Sequence, residues 1–176
     1  EATEILVRSW SAEEFDFRGS QYELEGQRAL PAPLRSPHPP LIFGGRGGPR
    51  SRALAARFGD EYNGAFLDAE AVADLRRGLD DACAAAGRDP LEVPLSMMSV
   101  VAIGDDRGEA EERLARVLAR FPAQRERCQV GSLDEVTATL RRLEAAGITK
   151  VYLQHPDLGD VRSLELLGEL AVRLAG

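Results

Sequence analysis

The stretch HPPLIFGGRGGPR, residues 38–50, sets four glycines and two arginines directly after an apolar run. Bare backbone there leaves N–H groups free to point outward. From Gly26 to Gly59 there is no Asp or Glu, but there are six arginines: Arg28, Arg35, Arg46, Arg50, Arg52 and Arg57. The chain as a whole carries a net charge of −7, so this window runs against its own background. A glycine loop that leaves a strand and opens a helix at Pro49 suits an anionic ligand. Loop amides, a helix N-terminus and a guanidinium from Arg46 or Arg50 would converge on it. The competing reading is a tight strand-to-helix turn with solvated arginines.

Two phosphate motifs are excluded. The loop lacks the G-K-[ST] ending of a P-loop, and the chain's one lysine is Lys150. A dinucleotide fingerprint beginning at Gly45-x-Gly47 would need glycine at position 50, where Arg50 stands. What survives is a generic anion site. Asn63 falls at the end of the second predicted strand, and Gln154 and His155 at the end of the fourth. A parallel sheet presents side chains to its ligand there, although such residues also simply form turns. Met97 and Met98 read as core. No Ser–His–Asp or paired-carboxylate arrangement is defensible from spacing, so no catalytic residue is assigned. The acids at Asp105-Asp106 and from Glu109 to Glu112 read as helix capping and a solvated face.

Composition bounds the rest. At 176 residues the chain fits one domain with a real core. No apolar run approaches the roughly 20 residues of a membrane span, and nothing at the start reads as a signal peptide. The acidic balance argues against a nucleic-acid partner. Cys83 and Cys128 lie far apart, outside any C-x-x-C, and read as reduced thiols of a cytoplasmic protein. His38 and His155 are too few for a histidine metal site. The single lysine against 21 arginines reads as coding bias.

The elements that would position these residues follow from periodicity. EATEILVRSW has helical spacing but no lead-in, like the last turns of a helix. FDFRGSQYEL alternates about Arg18-Gly19 as a hairpin. Residues 26–39 form a proline-rich extended connector. From residue 40, strands and helices alternate. The predicted strands are Leu41–Phe43, Glu61–Phe66, Leu95–Ile103 and Val151–Gln154. Pro49 opens a helix that Gly59 stops. Asp68 caps the next helix, striped by Val72, Leu75, Leu79 and Ala82, with Gly87 after its end. A helix from Arg107 carries Leu114, Val117, Leu118 and Phe121 and ends at Pro122. Ser132-Leu-Asp-Glu135 is a capping box for a helix running to Gly147. Leu164, Leu167, Leu170 and Leu174 stripe the closing helix. Strands separated by helices pair in parallel, so the fold class is α/β. Four βα units make either a small open sheet covered on both faces or half of an eight-stranded barrel.

Taken in order, a Trp-Ser helix end, FRGSQYEL, the proline-rich connector, PHPPLIFGG, LAARFGDEYN, GRDP, VGSLDEV and AAGITKVYLQ resemble the bacterial-luciferase-like superfamily. The series looks most like its deazaflavin (coenzyme F420)-dependent oxidoreductases, alongside flavin (FMN)-dependent relatives. The resemblance implies the C-terminal half of a TIM (β/α)8 barrel. Residues 1–39 would be a helix end, hairpin and connector inserted before strand five, and residues 40–176 would be strands five to eight. It implies that Gly44, Gly45, Arg46, Gly47, Gly48 and Arg50 bind the cofactor's phosphate end, with Asn63 and Gln154 on the substrate or cofactor wall. F420 is preferred to FMN as cofactor. The implied activity is hydride transfer between a deazaflavin or flavin and a small organic substrate, carried out by a full-length parent, with this chain inactive alone. The alternative is a non-catalytic half-barrel binding or assembly module. A half-barrel has apolar edges at Leu41–Phe43 and Val151–Leu153. Its expected partners are therefore the missing N-terminal half or a second copy, with no nucleic acid or membrane.

Overall fold

The computed structural model describes residues 1–120 and 125–175. Helix α1 (Ala2–Ser9) buries none of its residues, but it is tied down at both ends. The Glu1 carboxylate accepts from Ser20 N and Oγ, Gln21 N and Tyr22 N, which closes the turn of the hairpin β1 (Phe15–Arg18) and β2 (Glu23–Gln27). Those four bonds, led by the Ser20 hydroxyl, hold the Glu1 carboxyl at a pKa of about 2. At the other end of the helix, Trp10 packs against His38 with ring centroids 5.3 Å apart and the rings tilted by 33°.

The sheet that follows is wholly parallel. Its strands are β3 (Ile42–Gly45), β4 (Glu61–Ala65), β5 (Leu95–Gly104), β6 (Cys128–Ser132) and β7 (Ile148–Gln154). Between them run α2 (Pro49–Phe58), α3 (Ala69–Ala85), α4 (Arg107–Arg120) and α5 (Leu133–Ala145), and α6 (Val161–Ala175) closes the chain. Strand β5 is the hub. Leu95–Met98 pairs with β4, Leu95–Val100 with β7, and Val100–Gly104 with β6. Val100 has partners in both β6 and β7, so those two strands lie on opposite edges of β5.

Local signals explain most of the boundaries. Asp68 accepts from Ala71 N at the start of α3. Both bonds of the Ser132–Glu135 capping box are formed. Gly87 takes a left-handed φ of 69°, reversing the chain after α3. One face of the sheet and four helices form the core, with Leu79, Leu95, Met97, Val101 and Ile103 in contact with Val72, Val136, Leu140, Leu166 and Leu170. Burying each of the large ones contributes about 1.5–3 kcal/mol.

Three expectations need correction. The sheet has five parallel strands rather than four. Cys128–Ser132 is too short and too polar to show a strand period, and its only strand partner among the described residues is the overlong β5. Strand β7 begins at Ile148, three residues earlier than predicted. The buried stripe of α6 is Ser163, Leu166 and Leu170, whereas Leu164 is 41% exposed. The predicted ends of the Arg107 helix at Phe121 and Pro122 lie outside the described residues. Among the described residues no helix is long and apolar enough to cross a membrane.

Candidate functional site

The glycine loop leaves β3 and enters α2 as a sharp two-step turn. Gly45 (φ 140°) and Gly47 (φ 74°) sit where side chains are strained. A Cβ on Gly47 would also lie 2.4 Å from Leu75 Cδ1, so the turn is pressed against α3. Gly48 is the N-cap, and it has no neighbour within 4 Å of where a Cβ would stand. Helix α2 has no side-chain cap and no acid in its first turn, with Pro49 at the first position. Instead, Arg50 and Arg52 stand at the positive end of the helix dipole, the wrong sign for stability. A local rule broken in this way is expected at functional or strained positions, which makes the loop a candidate site.

The arginines divide by partner. Arg57 reaches Glu4 at 3.4 Å, and Arg28 donates to the Ala12 carbonyl. The Arg52 guanidinium lies over Gly78 of α3, where a side chain would collide with it. Arg46 and Arg50 are exposed and have no acidic partner among the described residues. Arg46 also lines, with Ala65, Phe66 and Leu67, a cavity of about 360 Å³ at the C-terminal end of β4.

Sequence reasoning missed the prop beneath the loop. Tyr62 is 0% exposed, and its Oη accepts from Gly47 N at 2.9 Å and bonds Ser51 Oγ at 2.9 Å. A tyrosine in a weak strand carries no such signal.

On the opposite face of the sheet from the core, a polar network crosses three strands. Glu61 on β4 is 6% exposed. It accepts from Ser96 Oγ (2.6 Å) on β5 and, on β7, from Lys150 Nζ (2.6 Å) and Tyr152 Oη (3.1 Å). Burial pushes the Glu61 carboxyl up, but the bonds from Lys150, Ser96 and Tyr152 outweigh it and hold the group below its usual range. The single lysine is therefore the counter-ion of a buried carboxylate, whereas composition alone had suggested coding bias. Asn63, on the same face, donates Nδ2 to Ser96 Oγ at 2.7 Å and stands beside Gly44 in register. Gln154 lies across β5 from Asn63, exposed, with Nε2 3.2 Å from Met98 Sδ. The structure thus joins Asn63 to the glycine loop and leaves Gln154 apart from it. His155 is half-buried, with both ring nitrogens enclosed and unpartnered. Among the described residues no group of three His, Cys, Asp or Glu could hold a metal.

A sequence profile of the luciferase-like monooxygenases matches residues 1–148. The chain belongs to that family. It is 30% identical over 111 residues to an FMNH(2)-dependent dimethylsulfone monooxygenase of Pseudomonas putida, covering 63% of this chain and 30% of that protein. It is 31% identical over 126 residues to an F420-dependent hydroxymycolic acid dehydrogenase of Mycobacterium tuberculosis, covering 70% and 32%. Among solved structures, an F420-dependent secondary alcohol dehydrogenase in complex with an F420–acetone adduct superposes with a TM-score of 0.76. It shares 18% identity over 96% of this chain and 58% of that one. The monooxygenase RslO1 of Streptomyces bottropensis gives 0.74 at 25% identity, over 98% and 59%. These likenesses establish the α/β fold with its parallel sheet. The aligned region spans about a third of the curated relatives' length and under two thirds of the solved structures. As a luciferase-like family member, the chain has both FMN- and F420-dependent relatives, which do not choose between the two cofactors.

Proposed function

We propose that this chain is the phosphate-anchoring half of a luciferase-like oxidoreductase that transfers hydride between a deazaflavin or flavin and a small organic substrate. The observation that carries the reading is the uncapped α2 N-terminus behind a glycine turn, with Arg46 and Arg50 free beside it. These residues fit a phosphate group. Gly48 leaves open space at the helix end, and backbone amides with two guanidinium groups match an anion's charge and its acceptors. Gly44, Gly45 and Gly48 would hold the phosphate by their amides, Gly47, whose N–H is taken by Tyr62 Oη, would shape the turn, and Arg46 and Arg50 would neutralise the charge. The bound deazaflavin or flavin supplies the redox chemistry. The chain's own residues bind and orient it and exclude water along the face of β4 and β5.

The same reading takes residues 40–176 as half of a barrel. Its ring-binding strands would come from a complementary half, so this chain alone would turn nothing over. The outer edges of β3 and β7 would pair with that half or with a second copy. Ile42 (52% exposed) and Tyr152 (40% exposed) show how much apolar surface such closure would cover. Titration of the chain with FMN and with F420 tests the cofactor reading. Binding of one or both is expected, abolished by competing phosphate; binding of neither overturns it.

A further inference from the structure

The network on the open sheet face has only one consistent direction, and it ends at the candidate site. Glu61 accepts three hydrogen bonds, and the Lys150 ammonium beside it keeps it a carboxylate, which can only accept. Ser96 has a single hydroxyl proton, and at 2.6 Å that proton goes to Glu61 Oε1. Ser96 Oγ can therefore only accept from Asn63. The asparagine must present Nδ2 to Ser96, as it does at 2.7 Å, and cannot flip without losing this bond. Its Oδ1 makes no hydrogen bond among the described residues.

We propose that Asn63 is a specificity-determining residue whose side-chain carbonyl, fixed by the relay Lys150–Glu61–Ser96, selects an N–H or O–H donor on the ligand. That ligand is the one anchored at the glycine loop, so the inference rests on the functional reading above. Placement supports it. Gly44, the first residue of the loop, is the in-register neighbour of Asn63 on β3 and carries no side chain to cover it. Ser96 is 0% exposed, out of a ligand's reach, so it acts as a positioning residue. A group offering only acceptors at this point would face an acceptor that cannot turn.

Asn63 is the only asparagine in the chain, so asparagine-selective 15N labelling isolates one side-chain NH2 group, seen as a pair of proton cross-peaks on a single nitrogen. In the native chain one Asn63 amide proton should exchange with water at least tenfold more slowly than in Ser96→Ala. Glu61→Gln, which lets residue 61 donate to Ser96, should reverse the relay and also remove that protection. An unprotected Asn63 in the native chain, or protection unchanged in both variants, overturns the lock. In parallel, FMN and F420 should bind about three- to tenfold more weakly to Asn63→Leu and to Ser96→Ala than to the native chain. Unchanged affinity in both variants, with the native chain binding, overturns the ligand contact. If the native chain binds neither compound the cofactor reading fails, while the exchange measurement still decides the orientation of Asn63.

Discussion

Replacing Tyr62 with Phe removes one oxygen from a ring that is 0% exposed and leaves its volume almost unchanged. No cavity term enters, so the effect isolates the hydroxyl. Ser51 Oγ donates to the Gly48 carbonyl at 2.9 Å, so Tyr62 Oη must donate to Ser51 Oγ and accept from Gly47 N. Without it, Gly47 N–H is left unpaired within the turn, whose φ of 74° at this position only glycine adopts without strain. A lost hydrogen bond contributes about 1 kcal/mol, and a stranded buried donor costs about 1–3 kcal/mol. A destabilisation of about 1–2 kcal/mol follows, since Gly47 is only half-buried. Urea denaturation should show it as a lower midpoint with an unchanged slope. Exchange of the Gly47 amide should accelerate more than that of the β5 amides, because the loss is local. A stability within about 0.3 kcal/mol of the native chain, with Gly47 exchange unaltered, would refute the idea that Tyr62 holds the loop.

Other predictions follow from the charged groups. Asp160 bonds Arg113, which is 7% exposed, and caps α6 through Ser163 N. The Arg113 hydrogen bond chiefly lowers its pKa, from 3.8 to about 2. A carboxyl with a depressed folded-state pKa stabilises above its unfolded value and loses that stabilisation as pH falls through the folded one. Asp160→Asn should therefore cost about 2 kcal/mol at pH 7 and about half that near pH 3; equal costs at both pH values in urea melts would contradict this. Arg46→Ala with Arg50→Ala should weaken FMN or F420 binding by roughly 1–3 kcal/mol and flatten its salt dependence; an unchanged titration leaves only backbone amides. In size-exclusion chromatography the isolated chain should run as a dimer or larger, with exposed-surface dye binding. A monomer with a cooperative melt and no dye signal would show that the sheet edges are closed.

What the sequence made legible were the features with local causes. Pro49, Asp68, Gly87 and the Ser132–Glu135 box mark the helix ends they were expected to mark, because capping is a contact between residues a few positions apart. The glycine loop was legible for the same reason: glycine at Gly45 and Gly47 answers a backbone demand made on the spot. The Tyr62 prop and the Glu61–Ser96–Asn63 relay were hidden, because each joins residues many positions apart and depends on strand register. Lys150 and Glu61 are 89 positions apart. Strand β6 was missed because its five residues gain their geometry from the far half of β5 rather than from their own pattern.

The claim that the glycine loop takes a phosphate is tested most directly by comparing FMN with riboflavin, which has the same ring and no phosphate. In fluorescence titrations of the native chain at low ionic strength, FMN should bind at least tenfold more tightly than riboflavin, a gap of about 1.4 kcal/mol or more. Substituting Arg46 and Arg50 by Ala should close most of that gap. Equal binding of the two compounds, or a gap that survives the double substitution and added phosphate, would contradict the account.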